Sequence, residues 1–288
     1  MNETGQPVGN FMKFLQFPLT RIFLGFALLI LVPGIAQLGV QALVGNETTS
    51  ADAIAVIVIT AVTLLTYYWF VRIIERRKVS ELASTYTLKE LSAGILLGTV
   101  LFSTTIAILW LLGYYQVSAV NALQSIVPWL LIGIISGTFE ELLMRGILFR
   151  IMEESLGTWI AIALSALVFG ALHLSNPNAT VWAGLAISLE AGIMLAAAYV
   201  YSRRLWLPIG IHIAWNFVQG GIFGVSVSGV ESKGLLESTL QGPVLLSGGE
   251  FGAETSIFAV IVCLIAGIYF VWKSYSQGKF IKPFWNRA

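Results

Sequence analysis

Apolar residues in this chain come in long, nearly unbroken runs rather than at helical or alternating intervals. Eight runs stand out, at Arg21–Val44, Ala53–Ile74, Leu91–Gly113, Ile126–Met152, Thr158–Leu174, Val181–Tyr201, Leu205–Gly224 and Ser256–Lys273. A helix needs about 20 such residues to cross a bilayer. The period-two alternation of membrane barrel strands is absent from them. The pattern predicts an all-α fold, a polytopic membrane bundle of about eight transmembrane helices. Pro33-Gly34 predicts a kink in the first run, tolerable where neighbouring helices cover the freed carbonyl. That run is longer than a signal-peptide core and follows mostly polar residues, so it reads as a retained first helix.

Composition agrees. Of 288 residues, 57% are apolar and 11% charged, against about 25% charged in soluble domains. Mean hydropathy is +0.84, and a water-facing surface needs more charge than this chain has. The net charge of +1 argues against a nucleic-acid partner. Cys263 is the sole cysteine, so a disulfide scaffold is excluded.

The basic residues orient the bundle. With the N-terminus in the cytoplasm, inner segments should collect Lys and Arg. Lys13 and Arg21, then Arg72, Arg76, Arg77, Lys78 and Lys89, then Arg145 and Arg150, then Arg203 and Arg204, and finally Lys273, Lys279, Lys282 and Arg287 all fall inside. Lys233 alone falls outside. Both termini are therefore expected in the cytoplasm, with the protein in the cell membrane.

Three regions follow: 1–125, three helices with a basic inner loop; 126–224, a four-span core; and 225–288, a long external loop, the last span and a cytoplasmic tail. The charged stretch Glu75–Glu90 is expected to lie along the inner interface as an amphipathic helix. Asn46-Glu47-Thr48 matches a glycosylation sequon on the outer side. No inverted pair of broken helices suggests a secondary transporter.

Ionisable groups inside spans are costly and mark function or structural pairing. Here they are Glu140, Glu141, Arg145, His173, Glu190 and His212, and both histidines of the chain are among them. On a helix, Glu141 and Arg145 share a face in the favourable order and should pair. Glu140 lies about 100° further round, without a local counter-ion. Such a carboxylate suits a general base, while an interfacial charge cluster is the structural alternative. His212 and Asn216, one turn apart, present two hydrogen-bonding groups to one point, as an oxyanion requires; interhelical bonding is the alternative. A histidine near a helix end, such as His173, is more often a packing residue. Glu190 could line a cavity, but pairing with Arg145 or a histidine is the preferred reading. Trp182, Trp206 and Trp215 fit interfacial or packing roles.

Other protease signatures fail. Neither histidine opens an H-E-x-x-H zinc helix. Gly133 and Ser136-Gly137 are one residue too far apart for a rhomboid-type Gly-x-Ser-Gly, so a serine mechanism is disfavoured.

Glu140-Glu141-x3-Arg145, Phe169-x3-His173 and His212-x3-Asn216, in that order on three helices, resemble the three motifs of the CPBP family. That family comprises CAAX prenyl endopeptidases and bacterial relatives, including the bacteriocin-processing and self-immunity proteins of the Abi group. The resemblance covers Pro128 to Gly224, with Asn176-Pro177-Asn178 and Ser247-Gly248-Gly249-Glu250-Phe251-Gly252 as further similar stretches. It implies an intramembrane endopeptidase acting on a membrane-associated or lipidated peptide. Glu140 would activate water, His173 would help hold it, and His212 and Asn216 would stabilise the oxyanion. Glu141 and Arg145 would buttress the site.

The family has been treated both as glutamate-dependent and as metal-dependent. Two histidines and a carboxylate could hold a divalent metal such as zinc with one open position. Asn216 in place of a good fourth ligand favours a water without tightly bound metal. The expected site lies below the inner surface, in a cytoplasm-facing cavity, with Glu140 within about 10 Å of a histidine. A non-enzymatic membrane immunity or scaffold protein and a proton-coupled small-solute transporter are the alternatives. Oligomeric state is not legible in the chain.

Overall fold

The computed structural model describes residues 10–45 and 49–287; the sequon at Asn46-Glu47-Thr48 lies outside them. Helix α1 is Pro18–Val44, continuous through Pro33. Helix α2 is Thr49–Trp69, ending in a π-helical turn Phe70–Glu75. Helix α3 is Thr87–Leu111. Helix α4 runs Val127–Glu141, through a π-helical stretch Leu142–Phe149, into Arg150–Leu156. Helix α5 is Thr158–Leu172. Helix α6 runs Val181–Ile187, a π turn Ser188–Gly192, then Ile193–Ser202. Helix α7 is Trp206–Asn216 with a π turn Phe217–Ile222, and α8 is Ile257–Ser276. Strands β1 (Tyr115–Val120) and β2 (Leu236–Leu240) pair antiparallel. The chain is an all-α polytopic bundle with one small ribbon.

Among the described residues, seven helical stretches are long and apolar enough to cross a membrane. The expected eighth, α7, is a helix but a short one. Its 11-residue α-helix and 6-residue π turn reach about 25 Å. It nevertheless runs beside α3 over its length, from Arg204 on Glu90 to Phe223 O, which accepts from the Tyr115 hydroxyl at 2.9 Å. Most of α7 is buried, so it is the central helix that the others surround.

Glycine lets those neighbours approach. A Cβ on Gly98 of α3 would stand 2.4 Å from Ile211 O, and one on Gly137 of α4 would stand 2.8 Å from Ile213 N. In a lipid environment, where the hydrophobic effect does not drive helices together, small residues permit the close packing that does. Both contacts flank His212, so they also set the site.

The basic segments meet at one end of the bundle. Glu75 is buried among Arg77 at 2.9 Å, Arg150 at 2.6 Å and Arg21 at 3.4 Å. Arg77 and Arg150 also reach Glu81, and Arg203 pairs with Glu153 at 2.5 Å. The tail joins through Lys279 Nζ on Tyr201 O and Thr158 N on Ile281 O. The common placement of these segments is as the charge pattern predicts. The expected interfacial helix over Glu75–Glu90 is not formed. Two 3₁₀ turns, Ser80–Leu82 and Ser84–Tyr86, precede α3. Glu75 and Glu81 turn inward because Arg77 beside them and Arg21 and Arg150 from other segments satisfy them there.

At the opposite end lie the ribbon and residues 225–255. This segment is folded rather than a plain loop: it holds β2, the turn Val244–Ser247 and the 3₁₀ turn Ala253–Thr255. Ser256 then caps α8 by accepting from Ala259 N at 3.2 Å.

Candidate active site

Glu140 and Glu141 end the α-helical part of α4, immediately before its π-helical stretch. Glu190 sits inside the π turn of α6, and Asn216 immediately precedes that of α7. Such wide turns are uncommon and recur at functional positions. Here they mark three of the helices that build the site.

Glu141 is fully buried and its Oε1 accepts two bonds, from Arg145 Nη1 at 2.7 Å and from His212 Nδ1 at 2.9 Å. The expected Glu141–Arg145 pair is present. The other guanidinium nitrogen of Arg145 donates to Ala191 O at 3.0 Å and Gly192 O at 3.2 Å, so Arg145 ties α4 to the π turn of α6. Its Cζ also lies 4.7 Å from the centre of the Phe169 ring. That ring contacts both imidazoles, at 4.6 Å from His173 and 6.3 Å from His212 between centroids.

Glu140 differs. Its side chain is 28% exposed, its Oε2 has no hydrogen-bond partner, and that oxygen is 3.9 Å from His212 Nε2. This is too long for a direct hydrogen bond and leaves room for a water. The expected proximity of Glu140 to a histidine is met at His212.

Proton positions follow from the partners. A carbonyl oxygen accepts but does not donate, so His173 Nδ1, 2.8 Å from Phe169 O, carries its proton. Its Nε2 is then a lone-pair acceptor. His212 Nδ1 likewise donates to the Glu141 carboxylate, directing Nε2 towards Glu140. Asn216 donates from Nδ2 to Ser136 Oγ at 2.9 Å, and Ser136 donates to Ile132 O.

His173, His212, Asn216 and Glu190 line one small cavity of about 20 Å³, room for about one water, with Phe169, Trp215, Ser228 and Glu254. Glu190 departs from expectation. It makes no ion pair with Arg145, whose donors are taken by Glu141 and two carbonyls; it lines the cavity with Oε2 unpartnered.

Ser228 and Glu254, which form one wall, belong to the segment at the end opposite the basic cluster. Glu254 and Lys279 are separated by the whole of α8. These two residues thus close the cavity on the side away from the basic cluster.

Sequence reading missed Ser136, the packing role of Phe169, and Glu254. Ser136 lies one helical turn before Glu140, a spacing that could have flagged it. Glu254 lies outside the apolar runs, so no count of charges within spans could reach it. Burial pushes the Glu254 carboxyl up to about 7, against the opposing bond it accepts from Ser228 N at 2.6 Å.

The donor set does not converge as a metal site. Among the described residues, no three His, Cys, Asp or Glu side chains come together closely enough to hold an ion. Glu141 and His212 Nδ1 are already bonded to each other.

These helices and their sunken charged centre define an integral membrane protein of the helical-bundle class. Residues 122–218 match the family described as Type II CAAX prenyl endopeptidase Rce1-like, and the CPBP resemblance of the three motifs stands on that match. It covers all six candidate residues. In general terms it supports an intramembrane CAAX-type endopeptidase. No curated protein and no solved structure matches the chain significantly.

Proposed function

We propose that this protein hydrolyses a peptide bond of a membrane-associated or lipidated peptide, with Glu140 as general base. The observation that carries this reading is the division of labour between adjacent carboxylates. Glu141, fully buried, has Oε1 held by both Arg145 and His212, whereas Glu140 is 28% exposed and turns an unpartnered Oε2 towards His212 Nε2 across 3.9 Å.

Glu140 takes a proton from the water as its oxygen attacks the scissile carbonyl. His173, with Nε2 as acceptor, helps hold that water. The oxyanion is met by the remaining N–H of Asn216 and by His212 in its imidazolium form, which Glu141 stabilises from behind. The carbon–nitrogen bond then breaks, and the leaving amine receives the proton held by Glu140. Arg145 is a positioning residue that holds Glu141. No step is routed through a metal, because among the described residues no three His, Cys, Asp or Glu side chains come together closely enough to hold one.

The positive-inside rule supports placing the basic end, and with it both termini, in the cytoplasm. The test is to express the wild type and Glu140→Gln at equal levels and compare peptide termini in the membranes by mass spectrometry. New termini found only with the wild type support hydrolysis. Identical termini, with both proteins folded and abundant, would overturn it in favour of a scaffold or transporter.

A further inference from the structure

Among the described residues, the carboxylates at the basic end of the bundle are all taken. Glu75 is held by Arg21, Arg77 and Arg150, Glu81 by Arg77, Glu154 by Arg21 and Arg150, Glu153 by Arg203 and Glu90 by Arg204. Arg72, Arg76 and Lys78, at the same end, are exposed, and none of them makes an ion pair with a described residue. Arg72 Nη1 meets a carbonyl, Arg77 O, at 3.4 Å. This end therefore carries a surplus of cations, gathered where α2 stops.

An apolar groove of about 490 Å³ runs between α1 and α2 towards that point, lined by Leu28 and Val32 of α1 and by Leu65, Thr66, Trp69 and Ile73 of α2. Thr66 adds no free polar group, since its hydroxyl donates to Val62 O at 2.7 Å. The exposed strip of α2 that carries Leu65, Trp69 and Ile73 continues into Arg72 and Arg76. From Val62 to Ile74, its ends on α2, the groove rises about 18 Å, against about 15 Å for half a hydrocarbon core. It is one leaflet long and begins at the basic end. The short helix Asn10–Leu15 marks the interface there: Phe11 and Phe14 are exposed with Lys13 between them, and Gln16 donates to Ile74 O. Exposed rings beside a lysine suit the headgroup boundary, which sets the end of α2 at that level.

We propose that this groove holds one acyl chain of an acidic phospholipid whose phosphodiester is met by Arg72 and Arg76. A groove on the lipid-facing side is filled from the bilayer, and two unpaired guanidiniums favour a headgroup of net negative charge. A second groove, of about 420 Å³ between α1, α2 and the start of α4, lacks that complement: its polar lining is Gln37, Gln41 and Asp52, with no cation. Both walls of the first groove also back the π-helical stretch of α4. Tyr67 of α2 donates to Gly146 O at 3.1 Å, and a Cβ on Gly25 of α1 would stand 2.7 Å from Ile147 Cδ1. A lipid that fastens α1 to α2 thus steadies the stretch that follows Glu141, whether or not Glu140 is a general base.

Lipid retention tests this without turnover. The full chain, purified in detergent, is titrated with phosphatidylglycerol or with phosphatidylcholine of the same acyl chains. Bound lipid is counted by native mass spectrometry, and the midpoint of thermal unfolding is followed. We expect one phosphatidylglycerol to be retained and to raise the midpoint, and phosphatidylcholine to be held about tenfold more weakly. Arg72→Gln and Arg76→Gln should each weaken phosphatidylglycerol about fivefold; both side chains are exposed and outside the ion-pair cluster, so the variants keep the fold. Thr66→Trp fills the groove and spares both arginines, and should also weaken retention; Leu65→Trp, at an exposed position, is the second variant of this kind. Lys273→Gln with Lys282→Gln removes two cations elsewhere at the same end and should change nothing. Equal retention of the two lipids, no retained lipid, or equal losses from the lysine and arginine changes would overturn the proposal. So would unaltered retention in both groove-filling variants, or a midpoint raised as far by glycerol 3-phosphate alone.

Discussion

His212 Nδ1 and Arg145 Nη1 meet on a single oxygen, Glu141 Oε1, at 2.9 and 2.7 Å. The buried carboxylate therefore couples the histidine that faces Glu140 to the arginine that holds α6. Glu140, one residue earlier, is outside this arrangement. The two glutamates should separate cleanly in their effects.

Glu140→Gln should reduce cleavage by about 10²–10⁴-fold, the usual loss of a general base, with little change in unfolding midpoint. Glu141→Gln should reduce activity and also destabilise the protein by about 3–5 kcal/mol, because it leaves Arg145 buried and uncompensated. Turnover and thermal unfolding measured on the same preparations distinguish the roles. Equal destabilisation by both changes would contradict the assignment.

Asn216→Ala should cost about 10²–10³ in turnover if its free N–H serves the oxyanion. Ser136→Ala removes the acceptor that orients Asn216 but leaves the amide, so a milder loss of about tenfold is expected. A Ser136→Ala enzyme as impaired as Asn216→Ala would point to a direct role for the hydroxyl.

The close helix contacts predict where methyl groups are tolerated. Gly98→Ala meets Ile211 O and Gly137→Ala meets Ile213 N, and each should lower stability by about 1–3 kcal/mol. Gly34 in α1 has nothing within 4 Å of an added Cβ. Gly34→Ala should be neutral or stabilising by up to about 1 kcal/mol. Unfolding midpoints in one detergent check all three.

Glu254 predicts a pH effect. Burial first, opposed by its bonds to Ser228, puts its folded value at about 7, above the ordinary 4.5. The folded state thus holds this proton more tightly than the unfolded state. The stability it contributes is full below pH 4.5 and is lost as pH rises through about 7. The span corresponds to roughly 3 kcal/mol at most. The wild type should lose stability over this window relative to Glu254→Gln, measured as the difference between the two unfolding curves. Parallel curves would show that Glu254 is not the group responsible.

Sensitivity to chelation tests the donor assignment. A protein rigorously stripped of divalent metal should keep its Glu140-dependent cleavage. Loss of cleavage restored by zinc would instead place a metal among Glu140, His173 and the Nε2 of His212.

How much of this was legible beforehand depends on the range of the interaction concerned. Each span announces itself because a bilayer demands about 20 apolar residues in succession, a property of contiguous sequence. The convergence of Arg21, Arg77, Arg150 and Arg203 at one end follows from the same logic, since lysine and arginine count along the chain. The Glu141–Arg145 pair was equally readable, because helical geometry places residues four apart on one face. The short reach of α7 and the inward turn of Glu75 and Glu81 were not. Each depends on partners far along the chain: α3 in the first case, and Arg21 and Arg150 in the second.

The site divides along the same line. Sequence by itself determined which side chains were out of place in an apolar span, and so named Glu140, Glu141, Arg145, His173, Glu190, His212 and Asn216. Only the tertiary structure decided what each one faces. It set His212 between two glutamates 71 and 72 positions earlier, sent Arg145 to the carbonyls of α6 rather than to Glu190, and brought Glu254 from a distant turn against the same cavity. The reason is physical: periodicity fixes directions within one helix, whereas the meeting of helices depends on packing at glycines and on π turns that shift helical phase, and neither is encoded in local spacing.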